Sequence, residues 1–183
     1  HHGPIDLLFL HATGFNALTY RTLLQPLGER HRVVALDLRG HGLTTLPAHP
    51  GRLTHWHGLA RDVITGIAHL THEPVGLIAG HSLGGTTSLL ALAAAPAFAR
   101  ALLMLDPAVV PPHWRRGLLL PFGPTILQRR LPIARNAGRR RAHFDSREQV
   151  LASYRGRGAF KTWQAGFLED YVEDGFAPQA DGT

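Results

Sequence analysis

Four short apolar runs, each closed by turn residues and followed by a helical pattern, constrain this chain more than any other feature. They are residues 5–10 (IDLLFL), 32–37 (RVVALD), 75–79 (VGLIA) and 101–106 (ALLMLD). Runs this short, lacking the polar alternation of a half-exposed strand, read as strands covered on both faces. Between them, Tyr20, Leu23, Leu24 and Leu27 fall at i, i+3, i+4 and i+7, one face of a helix that Asn16 is placed to cap. Leu59, Val63, Ile67 and Leu70 recur at helical spacing after a His-, Pro- and Thr-rich loop. A helix rich in small residues opens at Leu83 and stops before Pro96, since ring clash disfavours α geometry in the residue ahead of proline. Strands and helices alternating through short links predict an α/β fold, a parallel sheet of about four strands flanked by helices.

After Pro112 the texture changes. Strand-like runs disappear, arginine rises, and Gly and Pro separate short helical stretches. Asp145-Ser146-Arg147-Glu148 has the form of a capping box and predicts a helix to about Arg155. A second helix is expected across 162–173, ended by Gly175. The chain therefore divides into a core over 1–110 and a helical cap or lid segment over 111–183.

Composition narrows the function classes. With 183 residues and 44% hydrophobic content the chain can bury one core. Its 20 Gly and 13 Pro break every apolar run well short of the roughly 20 residues a membrane-crossing helix needs. No signal-type apolar segment opens it, so a cytoplasmic location is expected. The lack of cysteine excludes a disulfide framework, a thiolate nucleophile and Cys-based zinc. The net charge of +6 is local: twelve of the nineteen basic residues lie between Arg115 and Lys161, where Asp145 and Glu148 are the acids. A solvated, Arg-rich cap face accounts for this, and no nucleic-acid partner is expected, because Arg129-Arg130 and Arg139-Arg140-Arg141 lack interleaved aromatics.

The chemistry is carried by Gly80-His81-Ser82-Leu83-Gly84, a G-x-S-x-G string that ends a buried strand and opens a helix. A nucleophile on so tight a turn leaves no room for side chains two positions before and after it, hence Gly80 and Gly84. The turn lifts the serine hydroxyl clear of the sheet to a helix N-terminus, whose unpaired amides favour developing negative charge. His11-Ala12-Thr13-Gly14-Phe15 follows the first strand and can aim a backbone N–H at the same point. The amides of Thr13 and Leu83 then form the expected oxyanion hole, with Gly14 allowing the loop its turn.

These motifs resemble the α/β-hydrolase superfamily over residues 5–110, with the position of the insert extending the likeness through 111–180. His11 to Phe15 is similar to that family's oxyanion loop, with Ala12 where Gly is usual. Asp37-Leu38-Arg39-Gly40-His41-Gly42 is similar to its turn after the next strand, and Gly80 to Gly85 to its elbow. The resemblance implies that 1–110 supplies strands three to six of an eight-stranded sheet and 111–183 the cap. It also implies a catalytic His, and usually the acid, on loops past Thr183, so the chain is expected to be a piece of a longer protein. Asp106 offers an on-chain acid at the end of the fourth run; its other reading is a strand-end aspartate capping a turn with Pro107.

The expected function is therefore a serine hydrolase acting on a small ester-like substrate through an acyl-enzyme on Ser82. The alternatives are a non-catalytic ligand-binding member of the same fold and an anionic-polymer binder working through the Arg-rich cap. His81 is expected to be a packing or wall residue, His11 and His41 to hold loops, and His49, His55 and His57 to line the pocket mouth. Leu118, Leu119, Leu120, Phe122 and Ile126 are expected to form an acyl-pocket lid. His55-Trp56-His57 and His69 with His72 have ligand-like spacing without a completing carboxylate or thiolate cluster, so neither metal nor cofactor is called for. Oligomeric state is not encoded in any of these features.

Overall fold

The computed structural model describes residues 3–49, 55–109, 141 and 143–176. Within them the four apolar runs become the strands β1 (Leu7–Leu10), β2 (Val33–Leu36), β3 (Val75–His81) and β4 (Ala99–Leu105). They pair in parallel throughout, in the spatial order β2-β1-β3-β4. The chain leaves β1 toward one edge and β3 toward the other, so the sheet's topological switch point lies between the C-terminal ends of β1 and β3. Open α/β sheets place ligands at that point.

Five helices accompany the strands among the described residues: α1 (Arg21–Gly28), α2 (His57–Ala68), α3 (Leu83–Ala94), α4 (Arg147–Tyr154) and α5 (Phe167–Gly175). Alternate residues of each strand serve opposite faces. Leu8, Leu10 and Ile78 pack with Leu59, Ala60, Val63 and Ile67 of α2 and with Leu83 and Ala91 of α3. Phe9 and Ala79 face the other way, onto Tyr20 and Leu24. Burying such side chains contributes about 1.5–3 kcal/mol apiece.

The strands shift by one or two residues at their ends, and the helix predictions need adjustment. A 3-10 turn at Leu18–Tyr20, with Ala17 at its N-cap, precedes α1, and Asn16, expected to cap the helix, sits one residue ahead with its Oδ1 accepting from Thr19 N–H at 2.8 Å. Leu23 and Leu27 lie on the predicted apolar stripe yet stay exposed. The last predicted helix begins at Phe167, since residues Gly158–Thr162 form a 3-10 turn and Gly166 sits at φ 94°, which an α-helix does not accommodate. The Ser146 start holds: Ser146 Oγ accepts from Gln149 N–H at 3.2 Å, and Gln149 Oε1 accepts from Asp145 N–H at 3.0 Å.

A second apolar cluster gathers Phe144, Val150, Phe160, Leu168, Tyr171 and Val172. Phe15 packs against both this cluster and the core, and specific polar contacts add to that link. Asp170 Oδ2 accepts from Thr22 N–H at 2.7 Å, Asn16 Nδ2 donates to Asp174 C=O at 2.8 Å, and Arg21 pairs with Glu173 at 2.9 Å. The Leu118–Leu120, Phe122 and Ile126 lid residues and most of the arginine tract fall outside the described residues. Arg141, which is described, lies over the Phe144 ring at 4.7 Å.

Candidate active site

Ser82 follows β3 and caps the start of α3 at φ 51° and ψ −113°, in the half of backbone space that residues with a Cβ avoid. The glycines explain why the chain tolerates it. A Cβ on Gly80 would collide with the Gly84 carbonyl group, and one on Gly84 would collide with the Leu10 carbonyl at the end of β1. The missing side chain at Gly84 is thus what lets the first turn of α3 close onto β1. Ser82 is half-buried, and its Oγ makes no hydrogen bond among the described residues. Leu83, as the first residue of α3, has an N–H with no intrahelical acceptor.

The loop after β1 is held more rigidly than a turn of its length requires. His11 is fully buried, and Leu38 N–H donates to its Nε2 at 2.9 Å. A main-chain N–H can only donate, so Nε2 accepts and the ring proton sits on Nδ1, which donates to Ala12 C=O at 2.8 Å. Burial pushes the His11 pKa down to about 4, against the raising effect of that carbonyl. Ala12 C=O also accepts from Phe15 N–H at 3.1 Å. A trans peptide bond then turns the N–H of exposed Thr13 in the opposite direction, where it has no acceptor among the described residues. Gly14, at φ 76°, completes the turn.

Asp106 stands beside the elbow at the end of β4, exposed and at φ 44°. Its carboxylate accepts no hydrogen bond among the described residues. Its charge reaches His81, whose pKa is lowered by burial and partly restored by Asp106. Past the elbow, Phe15 meets Tyr171 and Trp163 edge-on, with ring centroids 5.2 and 5.5 Å apart, and lies 6.3 Å from His81. An aromatic wall therefore runs from the second cluster to the residue before Ser82.

His81 is bonded to Tyr20, and the His41 ring lies tilted with its centroid 5.0 Å from that of His11. His49, His55 and His57 line a cleft of about 1020 Å³ with Arg39, Arg61, Asp62 and Leu90. Neither Ser82 nor Thr13 lines it, so these histidines do not frame the elbow. No group of three or more His, Cys, Asp or Glu side chains is gathered as for a metal among the described residues.

Sequence reasoning quoted two residues without finding their roles here. Asp37 clamps two loops, Oδ1 accepting from Ala17 N–H at 2.7 Å and Oδ2 from Leu43 N–H at 2.8 Å; a Cβ on Gly42 would strike its carboxylate. An aspartate closing a strand ahead of a Gly-His-Gly turn is the local signal that could have found it. Tyr20 bridges the loop and the elbow, and a contact across 61 positions leaves no local signal.

The Alpha/beta hydrolase family profile matches residues 7–181. The chain is 30% identical over 104 residues to 2-(acetamidomethylene)succinate hydrolase of Mesorhizobium japonicum, a match covering 57% of this chain and 36% of that protein. It is 34% identical over 90 residues to the Magnesium-chelatase 30 kDa subunit of Rhodobacter capsulatus, covering 48% and 31%. The crystal structure of E-2-(acetamidomethylene)succinate hydrolase superposes with a TM-score of 0.70 at 26% identity, over 99% of this chain and 60% of that one. The matched segments thus span about a third of the curated relatives' length. The parallel sheet with its switch point, the sharp turn at Ser82 and the profile match over nearly the whole chain place it in the α/β-hydrolase family.

Proposed function

We propose that this chain carries the nucleophile and oxyanion site of a serine hydrolase that cleaves a small carboxylic ester or related acyl compound. Ser82 Oγ attacks the carbonyl carbon and surrenders its proton to a histidine base, which we assign outside the described residues. The carbonyl electron pair moves onto oxygen, and the resulting anion accepts from Thr13 N–H and Leu83 N–H. The alcohol leaves with the proton held by the base, and water hydrolyses the acyl-enzyme by the same route. Asp106 is the acid that the described residues offer to orient that base. Residues 111–183 act as the cap, its aromatic cluster meeting the site through Phe15.

One observation carries this reading: a serine at positive φ heads α3, its hydroxyl without a hydrogen-bond partner among the described residues, between two glycines that have no space for a Cβ. Treating the full-length protein with a fluorophosphonate tests it. Labelling at Ser82 that disappears in Ser82→Ala is the expected result; a wild-type protein that stays unlabelled overturns it. The second reading, a non-catalytic member of the fold, draws on the likeness to a protein named as a chelatase subunit. It predicts that unlabelled outcome.

A further inference from the structure

We infer that Tyr20 is a positioning residue that locks the oxyanion loop to the elbow through His81, an assignment that rests on the acyl-transfer reading above. The sheet register between β1 and β3 ends at Leu10 and Gly80, just before both functional segments begin. Beyond that point, Tyr20 provides the hydrogen-bonded link between loop and elbow among the described residues. Its hydroxyl oxygen accepts from Ala12 N–H at 3.1 Å and lies 2.7 Å from His81 Nδ1.

The direction of each bond follows from the partners. Ala12 N–H can only donate, so the phenol proton is left to go to His81. Burial favours the neutral imidazole, whose Nδ1 accepts it, and the same burial keeps the phenol protonated. The chain of bonds therefore runs Ala12 N–H to Tyr20 to His81, ending one residue before Ser82.

The mechanical consequence is specific. Ala12 N–H belongs to the peptide plane immediately ahead of the one that presents Thr13 N–H. His11 and Phe15 fix the second plane by its carbonyl; Tyr20 fixes the first by its amide and refers it to the strand that carries Ser82. Two donors on different strand ends stabilise an oxyanion only while their separation is held to a few tenths of an ångström. Tyr20 is positioned to hold that separation, touching neither substrate nor nucleophile itself. Phe9, whose ring centroid is 4.7 Å away, packs the phenol in place.

The test uses the full-length protein with Tyr20→Phe, His81→Leu and the double variant. It reads kcat and KM on p-nitrophenyl butyrate and the inhibition constant of phenylboronic acid, which forms a tetrahedral adduct on the serine. In each single variant kcat falls about 10-fold, a fraction of the 10²–10³ that follows outright loss of one oxyanion donor. KM stays within about twofold, boronate binding weakens by the same factor as kcat, and the double variant loses no more than either single one. His81→Leu carries the test by itself if Tyr20→Phe does not fold. Unchanged kcat and boronate affinity, with turnover still dependent on Ser82, overturn this role while leaving the acyl-transfer reading intact. So does a loss that is additive in the double variant and moves KM and kcat together, the mark of simple packing. A wild type without Ser82-dependent turnover removes both.

Discussion

Ser82 and Asp106 are fastened to each other through their flanking backbone: Ser82 N–H donates to Leu105 C=O at 2.9 Å, and Ser82 C=O accepts from Ala108 N–H at 3.3 Å. Asp106 is thus bracketed between two bonds to the serine's own peptide groups, and both residues sit at positive φ, 51° and 44°. Thr86 Oγ1 reinforces the bracket by donating to Ala108 C=O at 2.8 Å. Positive φ in a residue with a Cβ costs about 1–2 kcal/mol. Ser82→Gly releases that cost, so it should be about 1 kcal/mol more stable than Ser82→Ala in urea unfolding, with both variants inactive.

The bracket also makes Asp106 testable without rebuilding the turn, because asparagine tolerates the left-handed region. Asp106→Asn should keep the wild-type melting temperature and lose about 10³-fold or more in kcat, the scale expected when the group orienting a histidine base is neutralised. A kcat within about threefold of wild type would remove Asp106 as the proposed acid.

His11 gives the protein a specific acid sensitivity. Its folded pKa of about 4 lies below the ordinary 6.5, so between those values the unfolded chain binds a proton that the folded one refuses. Stability from this group is complete above pH 6.5 and drains away as pH falls to about 4, amounting to roughly 3 kcal/mol. Urea midpoints measured against pH should show a steeper acid-side fall for wild type than for His11→Gln. Parallel profiles would refute the assignment.

Glycines at the elbow and in α2 should respond to alanine with opposite signs. Gly84→Ala drives a Cβ into the Leu10 carbonyl, which backbone movement alone can relieve, and should destabilise by about 3 kcal/mol or more. Gly66 lies inside α2 with nothing within 4 Å of its added Cβ. Gly66→Ala should stabilise by about 0.5–1 kcal/mol through helix propensity and a less disordered unfolded chain. Thermal melts of the pair decide it.

The strands were legible in the sequence because parallel strands read as continuous apolar runs; that run is buried or half-buried along β3, whereas β4, expected to be covered on both faces, is largely exposed. The elbow was legible for a steric reason: Gly80 and Gly84 are both required by one turn, so a constraint in space appears as a fixed spacing along the chain. What stayed hidden depends on residues meeting from afar. Tyr20 looked like one member of an apolar helix stripe, and nothing near it in sequence announces His81 or Ala12. Asp37 was legible only as the head of its turn motif, and its clamp on Ala17 and Leu43 depends on two loops that meet in the fold. The start of α5 was misplaced because helical spacing continues through Trp163 to Gly166, while the left-handed glycine that interrupts it is a property of the fold.

The pinned carbonyl of Ala12 has a consequence for proton traffic with solvent. Its neighbours' amides, Ala12 and Phe15, are engaged in hydrogen bonds and should exchange with deuterated water slowly, whereas Thr13 N–H, exposed and without an acceptor among the described residues, should exchange fast. A rapidly relabelled Thr13 next to a sluggish Ala12 is a native readout of occupancy: a tetrahedral adduct on Ser82 should bring Thr13 down to its neighbour's pace. Residue-resolved exchange with and without phenylboronic acid would see that slowing, and its absence would mean that this amide never faces the reacting carbonyl.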